Sequence, residues 1–317
     1  MTVFAPCSVF CSISPLEFGI ASTPAFSTSP RSTNFILIPI TMKFSTTFLS
    51  TALLIGSSLA APPRGLAERI QTRSAARGSS HQSQPMQRLL VNPEHKELAN
   101  SVQYSNNWAG AVYETQPEEG PFYAVAGTFT VPEPKTVGEA GGGGVTAGSA
   151  WVGIDGDTYG AAILQAGVDF YIQPNGSTFY DAWYEWFPDY AYDFEMDVIA
   201  GDVVSIYVET YSPSEGYVYI ENQSTGQTAS QVLKAPTEKA MLAGQNAEWI
   251  VEDFQSGGKL VNLVDFGTVT FTDAQVGAGN VVKGVRDATR IELKQGDKVY
   301  TETTVVDDMV LNVHYKG

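Results

Sequence analysis

Cysteine is nearly absent. The 317-residue chain holds two, Cys7 and Cys11, both at its extreme N-terminus. The rest of the sequence therefore has no Cys nucleophile, no thiolate metal site and no disulfide framework. Histidine is almost as scarce, with only His81, His95 and His314. Past residue 100 a Ser-His-Asp triad or a multi-histidine zinc site would have to be built on His314 alone. No Asp-Thr-Gly or Asp-Ser-Gly occurs, so the usual turn of a paired-aspartate acid site is missing. Basic residues are few, 18 Lys/Arg against 34 Asp/Glu for a formal charge of -16, which makes nucleic acid an unfit partner. Only 16% of residues are charged. Convincing helical periodicity is lacking except for a weak pattern at Thr237–Ala243, and no later run approaches the ~20 apolar residues that span a bilayer.

What is abundant is Gly, Ser, Thr and aromatic side chains, a composition that suits a secreted all-β protein. Residues 1–41 have no periodic pattern. Met42 opens MKFSTTFLSTALLIGSSLAAP, where a lysine, an apolar run and small residues at 58–60 read as a secretory signal peptide spanning 42–60. Such a signal belongs at an N-terminus, so residues 1–41 are expected to be a leader added by the choice of gene start. Residues 61–103 have the look of a propeptide. From residue 61 to 100 there are six Lys/Arg and three Asp/Glu, a balance of +3, whereas Ser101 onward carries 10 Lys/Arg and 30 Asp/Glu, or -20. A basic segment ahead of so acidic a body can lie on it at neutral pH and loosen as carboxylates protonate. A disordered linker is the plainer alternative.

From Tyr104 to Gly317 the pattern is one of short strands separated by turn signals. Strands are expected at Trp108–Tyr113, Phe122–Val131, Ser149–Ile154, Ala162–Gln173, Tyr180–Phe187, Val203–Tyr211, Tyr217–Asn222, Glu248–Phe254, Thr268–Thr272, Arg290–Leu293 and Thr304–Tyr315. Many short antiparallel strands, each with one apolar face, predict a sandwich or barrel. Asn175-Gly-Ser and Asn222-Gln-Ser are glycosylation sequons in expected turns, weak support for secretion.

Three stretches carry polar groups on otherwise apolar strands. In Ala162–Phe170, alternation puts Ile163, Gln165, Gly167 and Asp169 on one face and Leu164, Ala166, Val168 and Phe170 on the other. The glycine is expected to leave room for a ligand's backbone. In YDAWYEWFP (180–188), Asp181, Trp183, Glu185 and Phe187 share a face that is either a ligand platform or inter-sheet core. In NAEWIVEDF (246–254), Glu252 lies between Ile250 and Phe254 on its own face, which is either an apolar setting that desolvates it and raises its pKa or a solvated face that leaves it an ordinary carboxylate; the stretch alone fits both. Acid–base chemistry in this chain must fall on carboxylates, helped by amides and phenols.

These motifs, SNNWAGAV (105–112), AWVGIDGDT (150–158), AILQAG (162–167), YDAWYEWFP and NAEWIVEDF, resemble in order and spacing those of the fungal glutamic peptidases, the eqolisins. The resemblance covers about Tyr104 to Asp273. It implies an all-β fold, an antiparallel sandwich of two curved sheets of the concanavalin A-like lectin/glucanase type, with the site on the concave face. It implies a catalytic pair, Glu252 and Gln165, and supporting or substrate-binding positions at Trp151, Asp155, Asp181, Trp183, Glu185 and Trp108. No metal or cofactor is implied. The implied partners are extended polypeptides and the chain's own propeptide as an intramolecular inhibitor, with no nucleic acid and no membrane, and the implied state is a secreted monomer. Tyr159 and Ala274 stand where some relatives have cysteine, so stability here must come from packing. Two other readings stay open on the residues themselves. One is a glycoside hydrolase using two carboxylates such as Glu185 and Glu252, which gives Gln165 no role. The other is a lectin-like binder without catalysis.

Overall fold

A computed structural model describes residues 81–89, 102–137 and 145–317. The expected leader, the signal peptide and most of the expected propeptide lie outside the described residues. The first strands are β1 (His81–Gln82), β2 (Arg88–Leu89), β3 (Val102–Ser105), β4 (Trp108–Tyr113), β5 (Phe122–Thr130) and β6 (Thr146–Ile154). Next come β7 (Ile163–Ile172), β8 (Thr178–Phe187), β9 (Tyr192–Asp193), β10 (Val203–Ser212), β11 (Glu215–Asn222) and β12 (Gln227–Lys234). The series continues with β13 (Ala247–Glu252), β14 (Gln255–Ser256), β15 (Lys259–Leu260), β16 (Asn262–Leu263) and β17 (Thr268–Ala278). It closes with β18 (Val281–Lys283), β19 (Thr289–Gln295), β20 (Lys298–Val299), β21 (Thr301–Val305) and β22 (Leu311–Tyr315).

Two large sheets form a β-sandwich. One runs β2-β3-β19-β4-β13-β6-β7-β8-β9; the other runs β12-β11-β10-β5-β17-β22-β21. Their inner faces meet because each strand alternates. Leu164, Ala166 and Val168 of β7, Ala182 and Trp186 of β8, and Trp249 and Val251 of β13 pack against Val125 and Phe129 of β5 and Val204, Ile206 and Val208 of β10. At about 25 cal/mol per Å² of apolar surface removed from water, this interleaved layer is the main stabilising term. The indoles at its edges keep their polar atoms satisfied: Trp249 Nε1 donates to Ala126 O at 2.8 Å and Trp186 Nε1 to Ala240 O at 2.8 Å.

Gly110, inside the SNNWAGAV motif, has a φ of +140°, and a Cβ there would fall 2.0 Å from Trp249 O. Only glycine lets β4 lie this close to β13.

Several expectations need correction. The strand expected at Thr304–Tyr315 is a hairpin, β21 and β22, turned at Asp307, whose carboxylate accepts from Met309 N at 2.8 Å. The Thr237–Ala243 stretch contains only a single 3-10 turn, Glu238–Ala240. β12 escaped the sequence pattern because it is an edge strand exposed along most of its length, so no apolar alternation marks it. Asn222 of the second sequon is fully buried and donates through Nδ2 to Asp202 Oδ2 at 2.8 Å, which leaves no room for a glycan. Asn175 sits in an exposed turn, as expected.

Candidate active site

The outer face of the β4-β13-β6-β7-β8 stretch brings the singled-out residues together. Strand register builds three transverse rows. Val112, Glu248, Gly153, Gln165 and Glu185 form the first; Gly110, Ile250, Trp151, Gly167 and Trp183 the second; Trp108, Glu252, Ser149, Asp169 and Asp181 the third. Of the eight site residues read from sequence, seven lie on this one face. The alternation that put Gln165 and Asp169 opposite Leu164 and Val168, and Glu252 opposite Val251, is the alternation of the folded strands. YDAWYEWFP proves to be both things at once: its odd-numbered residues face the cleft while Tyr180, Ala182 and Trp186 join the core.

Asp155 is the exception. It follows β6 with a φ of +69° and takes four backbone N–H groups, from Ala243 and Gly244 on Oδ2 and from Gln245 and Asn246 on Oδ1, at 2.6–3.2 Å. Burial raises its pKa even against those four donors. Its work is to fix the entry to β13, and so the height of Glu248 and Glu252 over the sheet.

Gly167 also serves a purpose other than the expected one. A Cβ there would meet Trp151 Cβ at 2.5 Å, Ala150 O at 2.6 Å and Trp183 Cζ2 at 2.9 Å. The space belongs to the two indoles, which crowd the middle row, and not to a ligand's backbone.

Glu252 is fully buried. Its Oε2 accepts from Trp151 Nε1 at 3.0 Å, and its Oε1 from Gln84 N at 3.0 Å and, more distantly, from Asn107 Nδ2 at 3.5 Å. Burial pushes its pKa up to about 8, opposed by the Gln84 amide, the Ser83 side chain and the Trp151 indole. Trp108 stacks edge-on against Trp151, with centroids 5.0 Å apart and planes at 81°, holding that indole in place. Gln165 Nε2 donates to Glu185 Oε2 at 3.3 Å, while Gln165 Oε1 has no hydrogen-bond partner among the described residues. Two strand spacings and four residues along the strand separate Gln165 from Glu252, roughly 16 Å between Cα atoms at ordinary sheet spacings. The two side chains therefore act on each other only through something held between them.

That something is the chain itself. Residues 81–89 run across the face. β1 pairs antiparallel with β14, β2 pairs antiparallel with β3, and the piece between lies over the three rows. Ser83 N donates to Glu185 Oε2 at 3.2 Å, the oxygen that also takes Gln165 Nε2, and Gln84 N donates to Glu252 Oε1. Asn107 Nδ2 reaches Gln84 O at 3.2 Å and Pro85 O at 3.3 Å, and its Oδ1 accepts from Gln87 N at 2.8 Å. Met86 packs with Trp108, Ile163 and Trp151. Arg88 closes the far end on Asp157 at 2.7 Å and Glu114 at 3.1 Å. A cavity of about 360 Å³ lies at the β8–β9 end, lined by Asp181, Asp193, Glu133 and Met196 among others; neither Glu252 nor Gln165 borders it.

Sequence reasoning missed Asn107, Ser149, Asp169 as a contact residue, and Glu248. Glu248 is fully buried, neither of its oxygens has a hydrogen-bond partner among the described residues, and burial with Asp155 and Asp157 nearby raises its pKa well above the usual value. Its signal was in the sequence, on the same face as Glu252 in NAEWIVEDF. Among the described residues no group of His, Cys, Asp and Glu is arranged to hold a metal ion.

The chain is similar to known proteins in sequence and in fold. Aspergillopepsin-2 of Aspergillus niger is 42% identical over 293 residues, covering 85% of this chain and 98% of its own. Scytalidopepsin B of Scytalidium lignicola is 34% identical over 274 residues, covering 83% and 96%. The crystal structure of scytalido-glutamic peptidase with a peptide-based transition-state analog superposes with a TM-score of 0.57 at 34% identity, over 67% of this chain and 98% of that one. A profile of the Peptidase A4 family matches residues 106–315. With that match over most of its length, and with its strands and buried carboxylates in this order, the chain belongs to the peptidase A4 family, the eqolisins.

Proposed function

We propose that the protein is a secreted acid endopeptidase in which Glu252 and Gln165 form the catalytic pair and residues 81–89 block the cleft until they are removed. The single observation that carries this reading is the placement of the Ser83–Gln84 peptide, with its two amides on Glu185 and Glu252 beside Gln165. A backbone held extended between a buried carboxyl group and a neutral amide is what a peptide substrate requires.

In the free cleft a water takes the place of this peptide's contacts. Ionised Glu252 removes a proton from that water as it attacks the scissile carbonyl carbon, and Gln165 Nε2–H donates to the oxygen as it gains charge. The C–N bond then breaks and protonated Glu252 returns its proton to the leaving amine. Gln165 suits its part because it is neutral at every pH and offers a donor and an acceptor on one group. The Trp151 indole, a donor only, keeps Glu252 aimed across the cleft.

Residues 81–89 inhibit in two ways. They exclude substrate, and they cover a Glu252 carboxyl whose burial pushes its pKa up to about 8 even against the Gln84 amide and the Ser83 side chain, so that it keeps its proton where it should act as a base. Their departure rehydrates the carboxyl and brings its pKa back toward the ordinary range. Acid weakens the ends of the segment by neutralising Asp157 and Asp169, which face Arg88 and His81. Glu252 contributes in the opposite sense, since a protonated carboxyl is easier to bury, so the ion pairs must dominate for acid to release the segment. Secretion rests on the Met42–Ala60 pattern, and no described helix is long and apolar enough to cross a membrane.

The test is hydrolysis of a denatured protein at pH 2–5 by the acid-treated full chain, beside Glu252→Gln and Gln165→Ala and in the presence of pepstatin. Activity that resists pepstatin and falls by at least about 10³-fold in both variants is expected. A wild type that is folded, freed of its segment and inert would overturn the reading.

A further inference from the structure

Glu248 is a buried acid that the chemistry above leaves without a task. It stands in the first transverse row, with Gly153 between it and Gln165. A Cβ built on Gly153 would fall 3.0 Å from Glu248 Oε1, 3.1 Å from Gln165 Cβ and 2.9 Å from Trp151 Cζ3. The glycine thus leaves a slot on the cleft face, walled by the Trp151 indole, across which the glutamate and the glutamine are within a side chain's reach of each other. Both residues are fully buried. Glu248 Oε1, Glu248 Oε2 and Gln165 Oε1 have no hydrogen-bond partner among the described residues. Buried polar atoms nearly always have partners, so three such oxygens on two facing side chains call for a physical reason. The charged groups acting on Glu248 are Asp155 and Asp157, both acidic, and together with burial they raise its pKa well above the usual 4.5. At the acid pH of the proposed activity Glu248 therefore carries its proton and is a donor.

We propose that Glu248 is a positioning residue for Gln165: its O–H donates to Gln165 Oε1 over Gly153, directly or through one water, and so holds the amide with Nε2–H toward the scissile carbonyl. The inference rests on the peptidase reading above. A side-chain amide fits its site in two orientations that differ by a half-turn, and only one offers an N–H to the developing oxyanion. The other presents Oε1, which repels the oxygen it should stabilise. On the cleft side Gln165 Nε2 donates to Glu185 Oε2 at 3.3 Å, the oxygen that Ser83 N also reaches. Glu248 completes the amide from the opposite side, as the donor that Oε1 lacks. The Trp151 indole beside the slot cannot do this, because its N–H is committed to Glu252 Oε2. A carboxyl buried in this way weakens the fold, so its removal should separate stability from activity.

Two measurements test it. In the first, the acid-treated full chain and its Glu248→Gln and Glu248→Met variants cleave one peptide at pH 4. Glutamine keeps both the size and a donor, methionine the size alone. The kcat of Glu248→Gln should stay within about threefold of the wild type and that of Glu248→Met fall at least about thirtyfold, with KM within about twofold in both. In chains carrying Glu252→Gln to prevent self-cleavage, Glu248→Met should also raise the urea midpoint, which a glutamate kept only for structure would not do. A folded Glu248→Met with full kcat, or a Glu248→Gln as inert as Glu248→Met, would overturn the proposal. In the second, the side-chain carbonyl carbon of Gln165 is followed by NMR at pH 4 in the full chain carrying Glu252→Gln, its resonance identified by its loss in Gln165→Ala. An oxygen that accepts a hydrogen bond should place this carbon at or downfield of the water-exposed glutamines, and an oxygen that accepts none should place it upfield. An upfield carbon would refute the contact even if neither Glu248 variant folds. A wild type that cuts nothing sinks the peptidase reading, and the amide carbon then judges the contact by itself.

Discussion

Asp253 offers a measurement of how this fold tolerates charge. It follows Glu252 directly, is 1% exposed, and accepts one hydrogen bond, from Gln295 Nε2 at 2.6 Å on Oδ2. Its Oδ1 has no partner among the described residues. Burial raises its pKa from the usual 3.8 to about 7, with Gln295 opposing. An acid whose folded pKa is raised is protonated in the folded chain over a range where the unfolded chain has already released the proton. Its contribution to stability is therefore full below 3.8 and is lost as pH rises toward 7. At about 1.4 kcal/mol per pH unit the whole loss is about 4 kcal/mol, and the part falling between pH 5 and pH 8 is about 2–3 kcal/mol. Asp253→Asn keeps an acceptor for Gln295 and cannot ionise. Urea or thermal unfolding at pH 5 and pH 8 should show the wild type losing that 2–3 kcal/mol more than the variant, about 5–10 °C in midpoint. Both proteins would carry Gln165→Ala so that self-cleavage does not intervene. Parallel pH–stability curves for the two would refute the claim that Asp253 is held neutral by burial.

Other substitutions probe the supports of the site. Asp155→Ala strands four backbone N–H groups in a buried loop, so a loss of at least about 3 kcal/mol is expected, read as a shift in urea midpoint. An unchanged midpoint would mean that those amides find water. Gly167→Ala forces a methyl into Trp151 Cβ and the Ala150 carbonyl, at a cost of about 1–3 kcal/mol, and because Trp151 holds Glu252 the loss of kcat should exceed the loss of folded protein. Full kcat in a folded variant would detach Trp151 from catalysis. Arg88→Ala removes the pair with the nearly buried Asp157 and should speed the loss of full-length chain at pH 4 by about two- to fivefold on a gel, since the arginine is itself one-third exposed. An unchanged rate would place the hold on residues 81–89 elsewhere along the segment.

Much of this protein was legible in its residues because strand alternation is a local rule. Gln165 and Asp169 opposite Leu164 and Val168, or Glu252 opposite Val251, needed nothing beyond a period of two and the preference of apolar groups for the core. The scarcity of cysteine and histidine likewise limited the chemistry to carboxylates and amides before any strand was paired. The edge strand Gln227–Lys234 was invisible for the same reason the others were visible: exposed on both sides, it has no face to mark. What the tertiary structure decided depends on register between distant segments. Only pairing across β13, β6, β7 and β8 sets Glu252 in one row with Asp169 and Asp181, and Gln165 in another with Glu185 and Glu248. It also assigned Gly167 to the packing of two indoles and Asp155 to a loop nearly ninety residues away. And it laid His81–Leu89 across the site, a contact between segments some 170 residues apart that no local pattern encodes, because each partner is satisfied only when the other arrives.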